Sequence, residues 1–92
     1  MAYRIFETNT FQKQLEQALK SGAFKNLDKK IRDYVYPFLR SEPHVGLQIK
    51  KLRDYNPEMY RFRIGDFRLF YSIDEEKLVV VVAALRLRGG AY

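Results

Sequence analysis

Large apolar residues alternate with cationic and small polar residues along most of the stretch from Met59 to Ile73. Alternation with a period of two is typical of a half-buried β-strand. The dipeptide Gly65-Asp66 interrupts the pattern, and a glycine-containing dipeptide between two such runs indicates a hairpin turn. The stretch therefore predicts a β-hairpin with four cross-strand pairs near its turn, which are Ile64 with Phe67, Arg63 with Arg68, Phe62 with Leu69 and Arg61 with Phe70.

The two faces of this predicted hairpin differ in chemistry, because successive side chains of a strand point to opposite sides of the sheet. One face is apolar and is expected in the core; it consists of Tyr60, Phe62, Ile64, Phe67, Leu69, Tyr71 and Ile73. The other face carries Phe70, Ser72 and the arginines Arg61, Arg63 and Arg68. Like charges directly opposite each other cost up to roughly 1 kcal/mol. This face is therefore either a solvated basic surface or an anion site, since guanidinium groups bind phosphate in bidentate fashion.

Periodicity elsewhere predicts two helices and two further strands. Apolar positions spaced i, i+4, i+7 and i+8 indicate one amphipathic helix, and a longer apolar stripe indicates a second. Pro37 lies inside the second stripe and predicts a kink or an irregular last turn. The first predicted elements are a strand over Ala2–Glu7 and a helix that follows the N-cap candidates Thr8, Asn9 and Thr10 and ends near Lys20. The later elements are a helix over about Asn26–Arg40, a connector over Ser41–Glu58, a turn over Asp74–Lys77 and a strand over Leu78–Leu87.

The last strand is apolar over most of its length, which predicts a central strand that is covered on both faces. If Ile73 pairs with Leu78, the hairpin extends into a three-stranded antiparallel meander. Within the connector, Leu47, Ile49 and Leu52 are expected to pack onto the core. The fold class that follows is α+β, with two antiparallel helices on one face of a small, mostly antiparallel twisted sheet in the order β-α-α-β-β-β.

The charge and composition of the chain indicate what kind of partner it binds and exclude some kinds of site. Seventeen Lys and Arg residues against eleven Asp and Glu leave a formal charge of +6, which favours nucleic acid or an acidic protein as partner. The absence of cysteine and the single histidine exclude disulfides and a multi-histidine metal site, and no cofactor is expected. The chain has neither an apolar run of membrane-spanning length nor a signal-peptide layout. We therefore expect one domain over residues 1–92, in the cytoplasm and with no membrane partner.

Two other charged features have plainer interpretations. His44 lies in the predicted connector, and a lone loop histidine is more often a surface residue than an acid–base catalyst. Lys25, Lys29, Lys30 and Arg32 occupy the polar side of the second helix. Charge runs on helices usually form a solvated exterior, so we expect that role for these four residues.

The ordered set of features resembles the RelE/ParE toxin superfamily, nearer its RelE branch. The family pattern is close to Y-R-x-R-x-G-D-Y-R-x-x-Y; here Phe67 stands at the second aromatic position and the other matches are Tyr60, Arg61, Arg63, Gly65, Asp66, Arg68 and Tyr71. Members commonly end in an arginine followed four residues later by a tyrosine, as Arg88 and Tyr92 are here. The resemblance covers essentially the full length and implies a RelE-like microbial RNase fold.

The resemblance implies the toxin of a type II toxin–antitoxin pair, with a cognate antitoxin as partner. RelE-type members cleave mRNA, usually in the ribosomal A site, so mRNA and the ribosome with its 16S rRNA are further implied partners. The implied catalytic residues are Arg61, Arg63, Arg68, Arg88 and Tyr92. The candidate RNA-binding residues are Lys50, Lys51, Arg53, Arg86 and Phe70, although ordinary sheet packing against Val81 is the alternative for Phe70.

The chain departs from the family pattern at its acid–base positions. The G-H-R that closes the last strand of many relatives reads Arg86-Leu87-Arg88, so the histidine is missing. Lys50 and Lys51 stand where some relatives carry a carboxylate base. The α-carboxylate of Tyr92 is one remaining candidate proton acceptor. Two alternatives to an mRNA interferase therefore stay open, namely a ParE-like toxin that inhibits DNA gyrase and a catalytically silent antitoxin-binding homologue.

Overall fold

A computed structural model describes residues 2–22 and 24–88 of the chain. Within these ranges the helices lie on one side of a five-stranded sheet, and no helix there is long and apolar enough to cross a membrane. The elements are β1 (Arg4–Glu7), α1 (Asn9–Lys20), α2 (Leu27–Lys30), a π-helical segment (Ile31–Val35), α3 (Tyr36–Ser41), β2 (Ile49–Lys51), β3 (Tyr60–Ile64), β4 (Phe67–Asp74) and β5 (Val79–Leu87).

The sheet has the strand order β1-β5-β4-β3-β2, with β1 parallel to β5 and every other pair antiparallel. The predicted α+β class is therefore confirmed. The hairpin is also confirmed, since all four predicted pairs between β3 and β4 are present. Gly65 has a φ of +56° at the first turn position, where type II′ hairpin turns place glycine.

One face of the sheet forms the core together with the helices. All the predicted apolar residues of the hairpin lie on this face, and only Ile73 among them is not buried. The helices contribute their own apolar stripes to the same cluster, from residues that include Phe11, Ala18, Leu27, Ile31, Val35 and Leu39. We call the opposite side of the sheet, which none of the described helices covers, the outer face.

The predicted connector contains a strand that was not predicted, because the prolines and glycine of this segment indicate a loop. Ile49–Lys51 forms the edge strand β2, and Lys50 pairs with Arg61 of β3. Ile49 packs against the core as predicted, whereas Leu47 is fully exposed and that prediction was wrong. Pro43 is buried instead, and its carbonyl accepts a 2.7 Å hydrogen bond from the Tyr71 hydroxyl, which fixes the connector before Leu47.

Two predictions for the last strand need correction. Leu78 has a φ of 55° and belongs to the turn, so β5 begins at Val79 and Ile73 pairs with Val80 rather than Leu78. β5 is an inner strand, but only its core-facing side chains, such as Val82, are buried. The outward side chains of β5 are only partly shielded, because the helices all pack on the other face.

The second predicted helix is continuous but irregular before Pro37. The Tyr36 N–H donates to the carbonyl of Ile31, five residues back, which defines the π-helical segment. A proline ring clashes with the carbonyl four residues earlier in a regular α-helix, and this accounts for the wider turn ahead of Pro37. The predicted irregularity is therefore present, although it precedes the proline rather than forming the last turn.

Candidate functional site

Three arginines lie side by side across the outer face. Arg63 of β3 pairs with Arg68 of β4, and Arg68 pairs with Arg86 of β5. Directly paired residues share a face, and neighbouring strands lie about 4.8 Å apart, so the three Cα atoms span about 10 Å. We call these residues the arginine row. Arg86 was predicted only as an RNA contact. The register groups it with Arg63 and Arg68, which were predicted to be catalytic.

A second row of outward-facing residues lies two positions further along the strands. It contains Lys50 of β2, Arg61 of β3, Phe70 of β4 and Ala84 of β5. Phe70 thus pairs with Ala84, whereas Val81, its predicted packing partner, pairs with Ser72. The sheet therefore brings together Lys50, Arg61 and Phe70 beside the arginine row.

None of the cations in these two rows forms an ion pair with another described residue. Other cations do; Arg32, for example, contacts the carboxylate of Asp28 at 2.7 Å. Arg63 and Arg86 are exposed, while Arg68 between them is partly buried. Like charges that face each other across a sheet are destabilising. The outer face therefore carries a fixed positive charge that no described carboxylate neutralises.

The end of β5 is tied to the hairpin turn beside the arginine row. The Arg88 amide donates a 2.7 Å hydrogen bond to the Asp66 carbonyl, and the Arg88 side chain is exposed. This bond holds the Arg88 backbone next to the turn between β3 and β4. The predicted site residue Tyr92 lies outside the described residues.

The structure does not bring the predicted contacts Lys51 and Arg53 into the same cluster. Lys51 pairs with Tyr60, which faces the core side, and its ammonium contacts the Glu58 carboxylate at 2.5 Å. Arg53 is exposed in the loop after β2. Strand alternation separates Lys51 from Lys50, and no feature of the sequence alone could have fixed the start of so short a strand.

His44 lies in a separate cluster that involves the opposite end of the sheet, at the turn between β4 and β5. Its Nδ1 contacts a carboxylate oxygen of Glu42 at 3.1 Å, and its Nε2 contacts Glu75. Glu75 also accepts a 2.9 Å hydrogen bond from the Tyr3 hydroxyl. The hydrogen bond to Glu75 is the main cause that raises the pKa of His44, with Glu42 adding to it. Through these contacts the imidazole ring links the connector to the turn between β4 and β5.

The arrangement suits binding of a polyanion by electrostatics rather than by a metal. Within the described residues, no group of three or more His, Cys, Asp or Glu side chains is placed to hold a metal ion. Guanidinium groups on a rigid sheet can bind successive or shared phosphate oxygens in bidentate geometry. They remain protonated, so the cluster can stabilise negative charge but lacks a general base of its own.

Comparison with known proteins identifies the family of the chain. Residues 5–92 match the family described as the ParE toxin of the type II toxin–antitoxin system parDE. The chain is 29% identical to a chain of the archaeal RelE–RelB complex from Pyrococcus horikoshii OT3, with a TM-score of 0.69 and coverage of 99% of this chain and 100% of that one. No curated protein sequence matches the chain.

Two further solved structures have the same fold. A chain of the intact E. coli RelBE toxin–antitoxin complex is 26% identical, with a TM-score of 0.65 and coverage of 98% of this chain and 100% of that one. A chain of the Mycobacterium tuberculosis RelBE2 complex gives a TM-score of 0.77 at 23% identity, covering 98% and 95%. The family match spans nearly the whole chain, including both rows of the outer face. The chain belongs to the RelE/ParE superfamily and is a toxin of a type II toxin–antitoxin system.

Proposed function

We propose that this toxin is an endoribonuclease that cleaves mRNA in the ribosomal A site through its outer face. The observation that carries the proposal is the arginine row, in which Arg63, Arg68 and Arg86 lie on three adjacent strands without a described carboxylate partner. A toxin that acts by binding a phosphodiester has a physical reason to retain this costly like-charge arrangement.

The proposed reaction is metal-free transesterification of RNA. The 2′-hydroxyl oxygen attacks the adjacent phosphorus and loses its proton, while the bond from phosphorus to the 5′-oxygen breaks and that oxygen gains a proton. The products are a 2′,3′-cyclic phosphate and a free 5′-hydroxyl. The phosphate gains negative charge in the transition state, and fixed cations aimed at it are worth about 3 kcal/mol each by analogy with oxyanion donors.

We assign the cations by their places on the sheet. Arg63, Arg68 and Arg86 would hold the scissile phosphate, and Arg61 would hold a neighbouring phosphate one row away. Arg88 would act from the position after the last residue of β5, beside Asp66 of the turn between β3 and β4. Because arginine stays protonated, the proton from the 2′-hydroxyl must go to another group.

Tyr92 remains our proposal for a residue that acts on the nucleotide. Its ring could stack on a base or orient the 2′-hydroxyl, and its α-carboxylate could accept the proton. Correct in-line alignment supplies much of the rate of such reactions. We propose that 16S rRNA supplies part of that alignment, since the chain lacks the histidine found in many relatives and the carboxylate found in some.

We also propose a cognate antitoxin that neutralises the outer face. The solved relatives from Pyrococcus horikoshii and E. coli are complexes of RelE with RelB. An acidic segment would remove the like-charge repulsion of the arginine row while occupying the surface that binds RNA. Such a partner would stabilise the toxin and inhibit it at the same time.

The test is a translating ribosome system with a defined mRNA whose cleavage ends are mapped. Wild type should cut within the A-site codon, and R61A/R68A should lose cutting while keeping its fold. The matched control is K13A/K29A, which removes the same charge from exposed helix positions and should cut as wild type does. Equal cutting by the arginine and lysine double variants would refute the assignment to the outer face.

Inhibition of DNA gyrase is the second candidate function. The observation that favours it is the match of residues 5–92 to a family described as ParE toxin. An intact message with folded wild-type protein, together with loss of gyrase supercoiling on addition of the toxin, would establish this function instead. In that case R61A/R68A would test whether the outer face contacts gyrase.

A further inference from the structure

We infer that Phe70 is a stacking platform for one base of single-stranded RNA and thereby sets the base preference of the toxin. This inference rests on the proposed ribonuclease function. It concerns a side chain that carries no charge and takes no part in stabilising the phosphate. Stacking on an aromatic ring is available to every base and varies in strength among them, so such a platform produces preference rather than strict readout.

Phe70 differs from the other aromatic residues of its hairpin in lacking an aromatic partner. Tyr60 stacks on Tyr71 with ring centroids 5.5 Å apart, and Phe67 contacts Phe24 edge to face at 4.6 Å. Phe62 likewise meets two rings of the helical segment. Phe70 makes no ring contact within the described residues and remains partly exposed on the outer face. An aromatic ring in this setting is available to another planar group.

The neighbours of Phe70 favour a flat ligand with a charged backbone. Arg61 is its partner on β3, and Ala84 is its partner on β5. Ala84 is small, so it leaves room beside the ring on the β5 side. The register between β4 and β5 shifts between Phe70 and Tyr71, and such irregularities re-aim side chains and are common next to functional sites.

The distance from Phe70 to the arginine row matches one nucleotide. Arg68 and Phe70 are two residues apart on β4 and therefore face the same side, with Cα atoms about 6.7 Å apart. A phosphate held by the arginine row would place an attached base over the Phe70 ring. On the β1 side the outer face adds the apolar pair of Val81 and Phe6, and Phe6 is 58% exposed. Cations beside an aromatic ring and a nearby apolar pair form the pattern of a single-stranded nucleic-acid site.

The ligand we infer is RNA rather than a protein segment because of the charges around the ring. Arg61 and Lys50 share the row of Phe70, and Arg63 and Arg68 lie in the next row. A protein segment would need both an acidic side and an apolar side in a fixed order. A single RNA strand carries alternating phosphate and planar base in every nucleotide, so it complements both rows without further assumptions.

The experiment compares F70L and F70Y with wild type in a translating ribosome system programmed with messages that vary the A-site codon. F70L retains an apolar side chain for the sheet but removes the aromatic ring, and F70Y retains the ring. Stacking on an aromatic side chain is worth about 5- to 150-fold in binding. We therefore expect F70L to raise KM for the ribosome-bound message by about 5-fold or more and to flatten the codon distribution, with a smaller change in kcat. F70Y should preserve the wild-type distribution.

Y55L is the matched control, because Tyr55 is a more exposed aromatic residue, at 58%, that lies in the loop between β2 and β3. It should leave both KM and the codon distribution unchanged. A folded F70L protein with the wild-type KM and distribution, while R61A/R68A abolishes cutting, would refute the platform and leave the proposed function standing. No cutting by wild-type toxin would refute both.

Discussion

Arg68 is the residue at which function and stability should oppose each other most clearly. It lies between Arg63 and Arg86, so its guanidinium faces a like charge on each side. Each directly opposed like-charge pair is destabilising by roughly 0.2–1 kcal/mol. The replacement R68Q removes both repulsions, retains a polar side chain of similar reach and keeps two hydrogen-bonding groups.

The expected gain in the free energy of unfolding is about 0.5–1.5 kcal/mol, since the two repulsions add and solvent screens part of each. For a domain of this length that corresponds to a rise in Tm of about 2–12 °C. The same change should lower RNA cleavage by about 100-fold or more, by analogy with removal of an oxyanion donor. A residue whose loss stabilises the fold and disables the protein is retained for its activity.

The assay is thermal unfolding of wild type, R68Q and R4Q at about 20 mM and 1 M salt. Arg4 is the control because it is an exposed arginine on the same face that pairs with Val79 rather than with a cation. The gain in R68Q should largely disappear at 1 M salt, where the Debye length is about 3 Å. A loss of stability in R68Q at low salt, or a gain of equal size in R4Q, would refute the view that the arginine row is an uncompensated cluster.

Two further predictions concern the opposite end of the sheet and the buried connector. Glu75 and Glu42 raise the pKa of His44, so the stabilisation is fully present below the ordinary value of about 6.5 and is lost as the pH rises through the raised value. Wild type should therefore lose thermal stability through that window, and H44Q should flatten the Tm profile between pH 5.5 and 8.5; an unchanged profile would contradict this. Y71F should lower the free energy of unfolding by about 1 kcal/mol in urea titration, because the buried Pro43 carbonyl loses its donor. L47A, at a fully exposed position, should match wild type.

The hairpin was predictable from sequence because its determinants are local. Gly65 provides the turn, and the alternation on both sides fixes which residues face the core, so the pair of Arg63 and Arg68 follows without tertiary information. The position of Arg86 was not predictable in this way. Its place in the arginine row depends on the turn at Leu78 and on the register shift beside Phe70, both of which change the pairing of β4 and β5.

The edge strand β2 shows a second limit of pattern analysis. Ile49–Lys51 is too short for alternation to be detected, and it lies in a segment whose prolines and glycine are typical of a loop. Its pairing with β3 defines it as a strand, and that pairing places Lys50 on the outer face and Lys51 on the other. Adjacent lysines with the same apparent role in the sequence therefore have different surroundings in the fold.

All three helices lie on one face of the sheet, and this arrangement explains how the toxin tolerates the positive charge of its outer face. The buried cluster draws on the helices and on one side of the sheet only, so the outer face contributes little to stability and is free to carry residues chosen for another purpose. The sheet itself is nevertheless rigid, because its inner strands β5, β4 and β3 are paired on both edges. A rigid surface whose composition the core does not dictate can hold cations close together without rearrangement on binding, which is the condition under which electrostatic stabilisation of a transition state is largest. The same absence of cover leaves the arginine row open to an acidic antitoxin segment, so the proposed activity and its proposed inhibition follow from one feature of the fold.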